Sequence, residues 1–209
     1  LFTISQNVAD RLFRYNGIKA APLYPPPQYE GQYRHDDYGD YVLSVSRLNP
    51  LKRVDLIIKA MSQVQTQTRL LIVGEGSEQE KLHNLARRHG VLERVEFLGY
   101  VDQDCLLKLY ANCLAVFYGP LDEDYGLATV EAFKSQKPVL TFTDSGGVLE
   151  FVEDGLTGYV APPDNLRQLA ERIDRLYQDR ALCRRLGMAG LNKVAPITWE
   201  TTISRLLGE

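Results

Sequence analysis

Cysteine, tryptophan and long hydrophobic runs are all scarce in this chain of 209 residues. The three cysteines, Cys105, Cys113 and Cys183, are odd in number and lack the paired spacing of a metal site, which argues against a disulfide framework and against bound zinc. No apolar run approaches the roughly 20 residues that a membrane-spanning helix requires, and no signal peptide is visible at Leu1. A formal net charge of -3 gives no overall field that favours nucleic acid. We therefore expect a cytoplasmic protein with no nucleic-acid partner.

The hydrophobic content of 44% is sufficient for one sizeable core. Short apolar segments alternate with amphipathic helical patterns through the middle of the chain. The segments predict strands at 41–46, 69–73, 94–98, 114–118, 138–142 and 158–160. The other patterns predict helices at 54–64, 78–89, 102–111, 127–134, 165–179 and 180–194. This alternation predicts an α/β fold, a Rossmann-like, mainly parallel sheet with helices on both faces, whose ligands bind beyond the carboxyl ends of the strands.

The two ends of the chain differ from this middle part. Residues 3–15 have the composition of a short helix, and the prolines at 22 and 25–27 force an extended connector. Because the chain starts at Leu1 rather than methionine and shows no targeting sequence, we expect it to be a portion of a longer protein. Three segments are predicted, an N-terminal helix with a proline-rich linker, a Rossmann-like domain and a C-terminal helix, at residues 1–38, 39–195 and 196–209.

Two glutamates flank the place where a predicted strand gives way to a helix. Glu123 and Glu131 are separated by seven residues, and Gly126 lies between them at the expected start of the helix. Free N–H groups and the positive end of the helix dipole favour an anion such as a diphosphate at that point. The two carboxylates are spaced to accept hydrogen bonds from hydroxyls on either side of the anion, so the pattern suits a sugar nucleotide. Without this context both glutamates would be surface charges.

Two cations follow the first predicted strand. Arg47 and Lys52 lie in the loop after it, so they should reach the same edge of the sheet as the glutamates. Arginine can bind a phosphate through two hydrogen bonds, whereas lysine acts as a compact point charge. Together they can neutralise a diphosphate without a metal ion and stabilise the charge on a departing nucleoside diphosphate. The alternative is a pair of solvated loop charges.

Other short patterns favour different chemistry only weakly. The sequence Gly74-Glu75-Gly76 follows a strand as a dinucleotide fingerprint does, but Gln79 occupies the third glycine position, which disfavours a dehydrogenase. The Asp-x-Asp triplet at 102–104 is explained by helix capping, and the triplet at 122–124 fits the paired glutamates better than a metal motif. No metal-ligand pattern is formed by the three histidines, His35, His83 and His89.

Taken in order, these motifs resemble the family 4 retaining glycosyltransferases. The matching series is Arg47 with Lys52, 73–76, 97–101, the paired glutamates, 146–147 and 153–158. The similarity covers nearly all of residues 1–209 and is to the C-terminal, donor-binding half of the GT-B architecture. Residues 1–27 resemble the segment that crosses from the acceptor-binding half, and residues 198–209 resemble the helix that returns toward it.

The resemblance implies roles for matching positions. Arg47 and Lys52 would bind the donor diphosphate, and Glu123 would contact sugar hydroxyls. The backbone amides of Gly126 and Leu127 would face the sugar and phosphates, and Gly74 would allow close approach of the donor. Glu131 would hold the ribose, and Tyr100 with Val101 would line the base pocket. Tyr125 belongs to the same donor-binding set, although many family members carry phenylalanine there. No metal or cofactor is implied.

The implied activity is transfer of a hexose, with retention of anomeric configuration, from a nucleotide-diphosphate sugar to a glycan or lipid-linked acceptor. The run at 120–126 is similar to a mannosyltransferase-like subgroup, which favours GDP-mannose over a UDP-sugar. The acceptor half and its usual catalytic histidine are absent from these residues, so we expect binding without turnover. The full-length enzyme is compatible with peripheral membrane association. Two alternatives are a noncatalytic nucleotide-sugar binding or regulatory module and an NAD-dependent dehydrogenase.

Overall fold

A six-stranded parallel sheet forms the centre of the molecule. The computed structural model describes residues 1–208. Two further short strands near the N-terminus form a separate parallel pair. In chain order the strands are β1 (Phe2–Thr3), β2 (Ala21–Pro22), β3 (Tyr41–Val45), β4 (Arg69–Val73), β5 (Val95–Gly99), β6 (Ala115–Phe117), β7 (Val139–Phe142) and β8 (Gly158–Ala161). The order across the large sheet is β5-β4-β3-β6-β7-β8.

Helices connect the strands and close both ends of the chain. They are α1 (Gln6–Asn16), α2 (Val54–Met61), α3 (Gln79–Arg88), α4 (Gln103–Asn112), α5 (Leu127–Lys134), α6 (Leu166–Gln178), α7 (Arg180–Val194) and α8 (Trp199–Leu207). Each connection within the large sheet joins parallel strands, which requires a crossover rather than a hairpin.

The strands are apolar on both sides because helices cover both faces of the sheet. In β4, Leu70 and Ile72 pack with α2, α3 and α6, whereas Leu71 and Val73 face the other way and pack with α4 and α5. Burial on both faces explains why these strands read as continuous apolar runs rather than as alternating patterns. The predicted parallel α/β architecture is therefore confirmed.

The predicted boundaries agree within one residue for the strands and differ by three residues at the start of α1 and at the end of α2. All six predicted strands are present within one residue at each end. The predicted helix at 54–64 ends instead at Met61, because the Arg94 guanidinium binds the carbonyl oxygens of Met61 at 2.7 Å and Thr66 at 3.1 Å. Val64 remains buried although it lies outside the helix, so the apolar pattern could not locate the helix end.

The N-terminal segment packs against the sheet domain along its length. The expected helix is present as α1, but the connector after it contains β2, which pairs with β1. Strands of two residues are too short to produce a sequence pattern. Tyr38 ends the connector, and its hydroxyl donates a hydrogen bond to the Gln136 carbonyl at 2.8 Å. This N-terminal segment, residues 1–38, is therefore bound to the sheet domain rather than free, and we call it the strap.

The C-terminal helix leaves part of its apolar surface exposed. Its exposed apolar side chains are Trp199, Ile203, Leu206 and Leu207. The opposite side contacts the strap, where the Thr202 hydroxyl donates to the Tyr24 carbonyl at 3.3 Å. Across residues 1–208, no helix has the combination of length and apolar character that crossing a membrane requires.

The strand order places a topological switch point between β3 and β6. From β3 the chain proceeds outward through β4 and β5, then returns to β6 on the other side of β3 and continues to β8. The loops that follow β3 and β6 therefore diverge and leave a crevice at the carboxyl edge. These loops are residues 46–53 and 118–126.

Candidate functional site

Lys52, Tyr118 and Glu123 meet at the switch point. Lys52 comes from the loop after β3, and the other two residues come from the loop after β6. The Lys52 ammonium forms an ion pair with the Glu123 carboxylate. It also donates to the Tyr118 hydroxyl at 3.0 Å, and that hydroxyl donates to Glu123 Oε2 at 2.9 Å. Burial and the Glu123 carboxylate raise the pKa of Tyr118, so this phenol keeps its proton at neutral pH.

Arg47 stands at the wall of a cavity of about 480 Å³ beside this trio. The cavity lies at the carboxyl ends of β3, β4 and β5 and is lined by Val45, Ser46, Arg47, Val73, Gly74, Glu75 and Tyr100. The Arg47 side chain is exposed, and its positive charge lowers the pKa of Tyr118 against the effect of burial. The Ser46 hydroxyl is buried and has no hydrogen-bond partner among residues 1–208. The cavity thus offers the Arg47 cation to a polar ligand.

The N-terminus of α5 opens onto the same edge. Gly126 precedes the helix with a φ of 86°, and no side chain in the described part of the chain caps the helix start. The first N–H groups of a helix have no partner within the helix and attract anions. A Cβ at Gly126 would lie 2.8 Å from Val148 Cγ2 and 3.2 Å from the Tyr118 ring, so both the backbone angle and the packing require glycine. Leu127, the next residue, is exposed.

Glu131 lies one turn further along α5, partly buried beneath two tyrosines. Tyr110 donates to Oε2 at 2.6 Å, and Tyr33 of the strap donates to Oε1 at 3.1 Å. Burial raises the pKa of Glu131, whereas the two hydrogen bonds lower it. The second of the paired glutamates is therefore held by donors from two other segments of the chain.

Arg53 fastens the loop that carries Glu123. Its guanidinium donates to the carbonyl oxygens of Gly119 at 2.8 Å and Pro120 at 2.7 Å. It also binds both oxygens of Asp144, at 2.8 and 2.6 Å, which lowers the pKa of that carboxyl group. One side chain thus joins the loops after β3, β6 and β7.

Backbone contacts complete the support of Glu123. The Gly147 N–H donates to the Glu123 carbonyl oxygen at 2.7 Å. Gly146 has a φ of 61°, and a Cβ there would lie 2.6 Å from the same oxygen, so only glycine fits. From the other side, Asn7 in the first turn of α1 donates its side-chain amide to that oxygen at 2.9 Å, and the Ser5 hydroxyl donates to the Asp124 carbonyl. The glycine pair and α1 therefore enclose the loop backbone.

Three of the predicted donor-binding residues have surroundings that differ from the expectation, namely Tyr125, Val101 and Gly74. Tyr125 is buried, its ring stacks on Tyr24 at 5.9 Å, and its hydroxyl donates to the Pro25 carbonyl at 2.8 Å. The Tyr125 side chain therefore packs beneath the strap and does not line the cavity.

Val101 and Gly74 also differ from expectation. The Val101 side chain packs against the apolar core, so only Tyr100 of that pair lines the cavity, where it is 80% exposed. Gly74 has a φ of 123°, and a Cβ there would lie 1.9 Å from the Ser46 carbonyl oxygen. The glycine is therefore required by the close approach of two loop backbones.

The remaining predicted residues lie along the carboxyl edge, namely Arg47, Lys52, Gly74, Tyr100, Glu123, Gly126, Leu127 and Glu131. Sequence reasoning missed Tyr118, Arg53, Tyr33 and Tyr110. Tyr118 and Arg53 could have been noticed as polar residues in loops already chosen. Tyr33 could not, because 98 residues separate it from Glu131. Within residues 1–208, no three or more His, Cys, Asp or Glu side chains form a group able to hold a metal ion.

Comparisons of sequence connect this site with known proteins. The chain matches a family model described as "Glycosyl transferases group 1" over residues 27–193. It is 31% identical over 176 residues to a D-inositol 3-phosphate glycosyltransferase from Nocardia farcinica, a match covering 79% of this chain and 39% of that protein. It is 28% identical over 201 residues to an uncharacterized glycosyltransferase from Methanocaldococcus jannaschii, covering 96% of this chain and 53% of that protein. The chain thus spans about half or less of the length of these relatives.

Solved structures of similar fold cover almost the whole chain. A TarM variant from S. aureus, in complex with Fondaparinux, alpha-GlcNAc-glycerol and UDP, has a TM-score of 0.88 and 21% identity, covering 99% of this chain and 43% of TarM. HepE from Anabaena, in complex with UDP and glucose, has a TM-score of 0.87 and 23% identity, covering 99% of this chain and 61% of HepE. At these identities the likeness concerns the fold. Together with the six-stranded sheet, it confirms the predicted fold class, one half of a GT-B glycosyltransferase.

Proposed function

This chain belongs to the glycosyl transferases group 1 family, and from that premise we propose that it binds the nucleotide-sugar donor of a glycosyltransferase. The observation that carries the proposal is the meeting of two cations, a carboxylate and an uncapped helix N-terminus at the switch point of the sheet. A diphosphate needs the positive groups, and a sugar needs the carboxylate as a hydroxyl acceptor.

In the proposed complex, Arg47 and Lys52 bind the diphosphate. Arg47 has an exposed guanidinium that can form two parallel hydrogen bonds to a phosphate. Lys52 lies between the diphosphate position and Glu123, so it can neutralise one while it orients the other. Glu123 accepts hydrogen bonds from sugar hydroxyls, the N–H groups of Gly126 and Leu127 face the phosphates, and Glu131 accepts from the ribose.

The proposed reaction retains the anomeric configuration. The bond between the anomeric carbon and the diphosphate oxygen breaks, and the acceptor oxygen forms a new bond on the same face. The acceptor proton passes to a phosphate oxygen of the donor, and the nucleoside diphosphate leaves. Neither Glu123 nor Glu131 is needed as a nucleophile, in contrast to the carboxylate pair of a retaining glycosidase. Arg47 and Lys52 stabilise the negative charge that develops on the leaving group.

Two classes of donor, GDP-mannose and a UDP-sugar, are each favoured by one observation. The run at 120–126 favours GDP-mannose, whereas the TarM and HepE structures contain UDP and so favour a UDP-sugar. We propose a nucleotide-diphosphate hexose without choosing the base. The glycan or lipid-linked acceptor would be bound by the remaining half of a longer enzyme, so these residues alone would bind donor without turnover. Cytoplasmic location, with peripheral contact to a membrane, is part of the same proposal.

Isothermal titration calorimetry tests the proposal. UDP-glucose and GDP-mannose are each titrated into the chain, with and without EDTA. At least one donor should bind in both conditions, and Arg47→Ala should weaken that binding by about tenfold or more, because a charge-assisted hydrogen bond contributes roughly 1.5–3 kcal/mol.

Arg69→Ala is the matched control, because Arg69 is an exposed arginine at the opposite end of β4, where it pairs with Asp40. The affinity of Arg69→Ala for the donor should equal that of the unchanged chain. Binding that is equal in both variants, or absent for both donors, would contradict the proposal.

A further inference from the structure

Glu131 accepts hydrogen bonds on both carboxylate oxygens, and the two donors come from different segments of the chain. Tyr110, fully buried at the end of α4, donates to Oε2 at 2.6 Å. Tyr33, partly buried in the strap, donates to Oε1 at 3.1 Å. The two rings pack edge to face with centroids 6.0 Å apart. Each oxygen of the carboxylate therefore receives one phenolic hydrogen bond.

The chemistry of the three groups fixes the direction of these bonds. Burial and the Glu131 carboxylate raise the pKa of both phenols, so each tyrosine keeps its proton and acts as donor. An ionised carboxylate only accepts hydrogen bonds and has about four lone-pair positions. With one position used on each oxygen, the carboxylate retains at least one acceptor position per oxygen. A vicinal diol supplies two adjacent hydroxyl donors, which matches that remaining capacity.

Further contacts hold the strap where it carries Tyr33. Gln103 of α4 donates its side-chain amide to Gln32 Oε1 at 2.7 Å. The Lys134 ammonium at the end of α5 lies 3.6 Å from the Glu30 carboxylate. The strap is therefore attached both to α5, which carries Glu131, and to α4, which carries Tyr110. The Tyr33 contact is therefore part of a docked segment rather than a single loop contact.

We propose that Tyr33 and Tyr110 are positioning residues, which orient the Glu131 carboxylate to accept the 2′- and 3′-hydroxyls of a ribonucleoside diphosphate. The strap thereby contributes to selection of ribose over deoxyribose. This inference rests on the proposed function, because it assigns a task within the same donor site. Losing one donor frees the carboxylate to rotate, so a ribose hydroxyl would meet it in a less favourable geometry.

The test measures how strongly the chain prefers ribose. UDP, GDP and their 2′-deoxy counterparts are titrated calorimetrically into the unchanged chain, Tyr33→Phe and Tyr38→Phe. Tyr38 is the matched control, because it lies in the same strap and donates one hydrogen bond, to the Gln136 carbonyl, without contacting Glu131. For the nucleotide that binds, the unchanged chain and Tyr38→Phe should share one ribo-to-deoxy affinity ratio. Tyr33→Phe should lower that ratio about threefold to tenfold, mainly through weaker binding of the ribonucleotide.

Glu131→Gln provides a second variant that keeps the shape of the side chain. It should lose most of the ribose preference, and adding Tyr33→Phe to it should cause little further loss, because the two changes act through one interaction. Equal weakening of ribo- and deoxynucleotides by Tyr33→Phe, or an unchanged ratio, would overturn the inference while the proposed function stands. Absence of binding by the unchanged chain to UDP and GDP would overturn the proposed function and this inference with it.

Discussion

At the scale of single residues, the candidate site contains a cation and a carboxylate that neutralise each other without a ligand. The side chains of Lys52 and Glu123 are 16% and 21% exposed, so the pair is largely desolvated. Removing one partner of such a pair leaves a poorly solvated charge, which costs more than breaking an exposed pair. Arg47 lies outside the pair and is exposed. Its substitution therefore reports on ligand binding with little cost to the fold.

Lys137 is a fully buried cation away from the candidate site. Its ammonium lies 4.4 Å from the centre of the Tyr38 ring and 2.9 Å from His35 Nδ1, and it donates to the Asp37 carbonyl. Burial lowers the pKa of Lys137 from 10.5 to about 8. Between these pH values the unfolded chain holds a proton that the folded chain has released. The unfavourable contribution of this lysine to stability is therefore complete below about pH 8 and is lost as the pH rises toward 10.5.

Lys137→Met should reduce this dependence on pH. The free energy of unfolding of the variant minus that of the unchanged chain should fall by roughly 2 kcal/mol between pH 7.5 and pH 10, because the unchanged chain gains stability over that range. Urea unfolding at the two pH values measures the difference. Titration of the buried cysteines and tyrosines occurs in both proteins and largely cancels. The control is Lys59→Met, at a lysine of α2 that pairs with Asp55. The free energy of unfolding of this variant minus that of the unchanged chain should be the same at the two pH values. A constant difference for Lys137→Met would contradict the account.

At the scale of secondary-structure elements, the loops at the carboxyl edge are joined by Arg53. Arg53 immediately precedes α2 and has a φ of 51°, an unusual backbone angle for a residue other than glycine. The guanidinium also stacks over the Phe142 ring at 4.9 Å while it binds Asp144 and two carbonyl groups. The strained backbone angle of Arg53 directs its side chain between three loops, and the contacts made there compensate for the strain.

Arg53→Ala should destabilise the fold by about 2–3 kcal/mol, because it leaves two carbonyl groups and the Asp144 carboxylate without their donor. Amide hydrogen exchange should become faster in residues 118–126 and 143–147 than in the sheet. Urea unfolding and exchange measured by mass spectrometry check the two effects.

Arg69→Ala again serves as control, since the Arg69 side chain is 45% exposed and its ion pair should contribute less than about 1 kcal/mol. Equal, small losses of stability in the two variants would show that Arg53 does not join the loops.

The elements also show what the sequence can and cannot predict. The strands β3, β4, β6, β7 and β8 were predictable because they are largely buried on both faces and bounded by polar turns, whereas the edge strand β5 is only partly buried. The end of α2 was not predictable, since it depends on Arg94, which is 33 residues from Met61. The sequence places Arg47, Lys52 and Glu123 in loops that follow strands and Glu131 in the helix that comes next, and the structure has them in those elements. Their roles in donor binding stay predictions.

Tyr33 and Asn7 could not be assigned to the site from local pattern. Asn7 is 116 residues from Glu123, whose carbonyl it binds, and Tyr33 is 98 residues from Glu131. Contacts between such distant segments depend on how the strap crosses the finished sheet domain. The same reason explains Tyr125, which was placed in the site because of its neighbours in sequence but packs beneath the strap.

At the scale of the whole molecule, the strap and the sheet domain form one support for the carboxyl edge. Asn7 of α1 donates to the carbonyl oxygen of Glu123 itself. Glu150 accepts hydrogen bonds from the first N–H groups of α1, those of Gln6 at 3.0 Å and Asn7 at 2.8 Å. The other end of the strap reaches Glu131 through Tyr33. The segment that the sequence presents as a connector therefore touches both glutamates of the proposed donor site.

The central claim is that the carboxyl edge at the β3–β6 switch point binds a nucleoside diphosphate. Crystal structures of the chain with UDP and with GDP, each at saturating concentration, test it most directly. In at least one of them the diphosphate should lie within hydrogen-bond distance of Arg47, Lys52 and the first N–H groups of α5, with the ribose against Glu131. A nucleotide bound at the amino ends of the strands, or an edge unoccupied by both nucleotides at saturation, would contradict the claim.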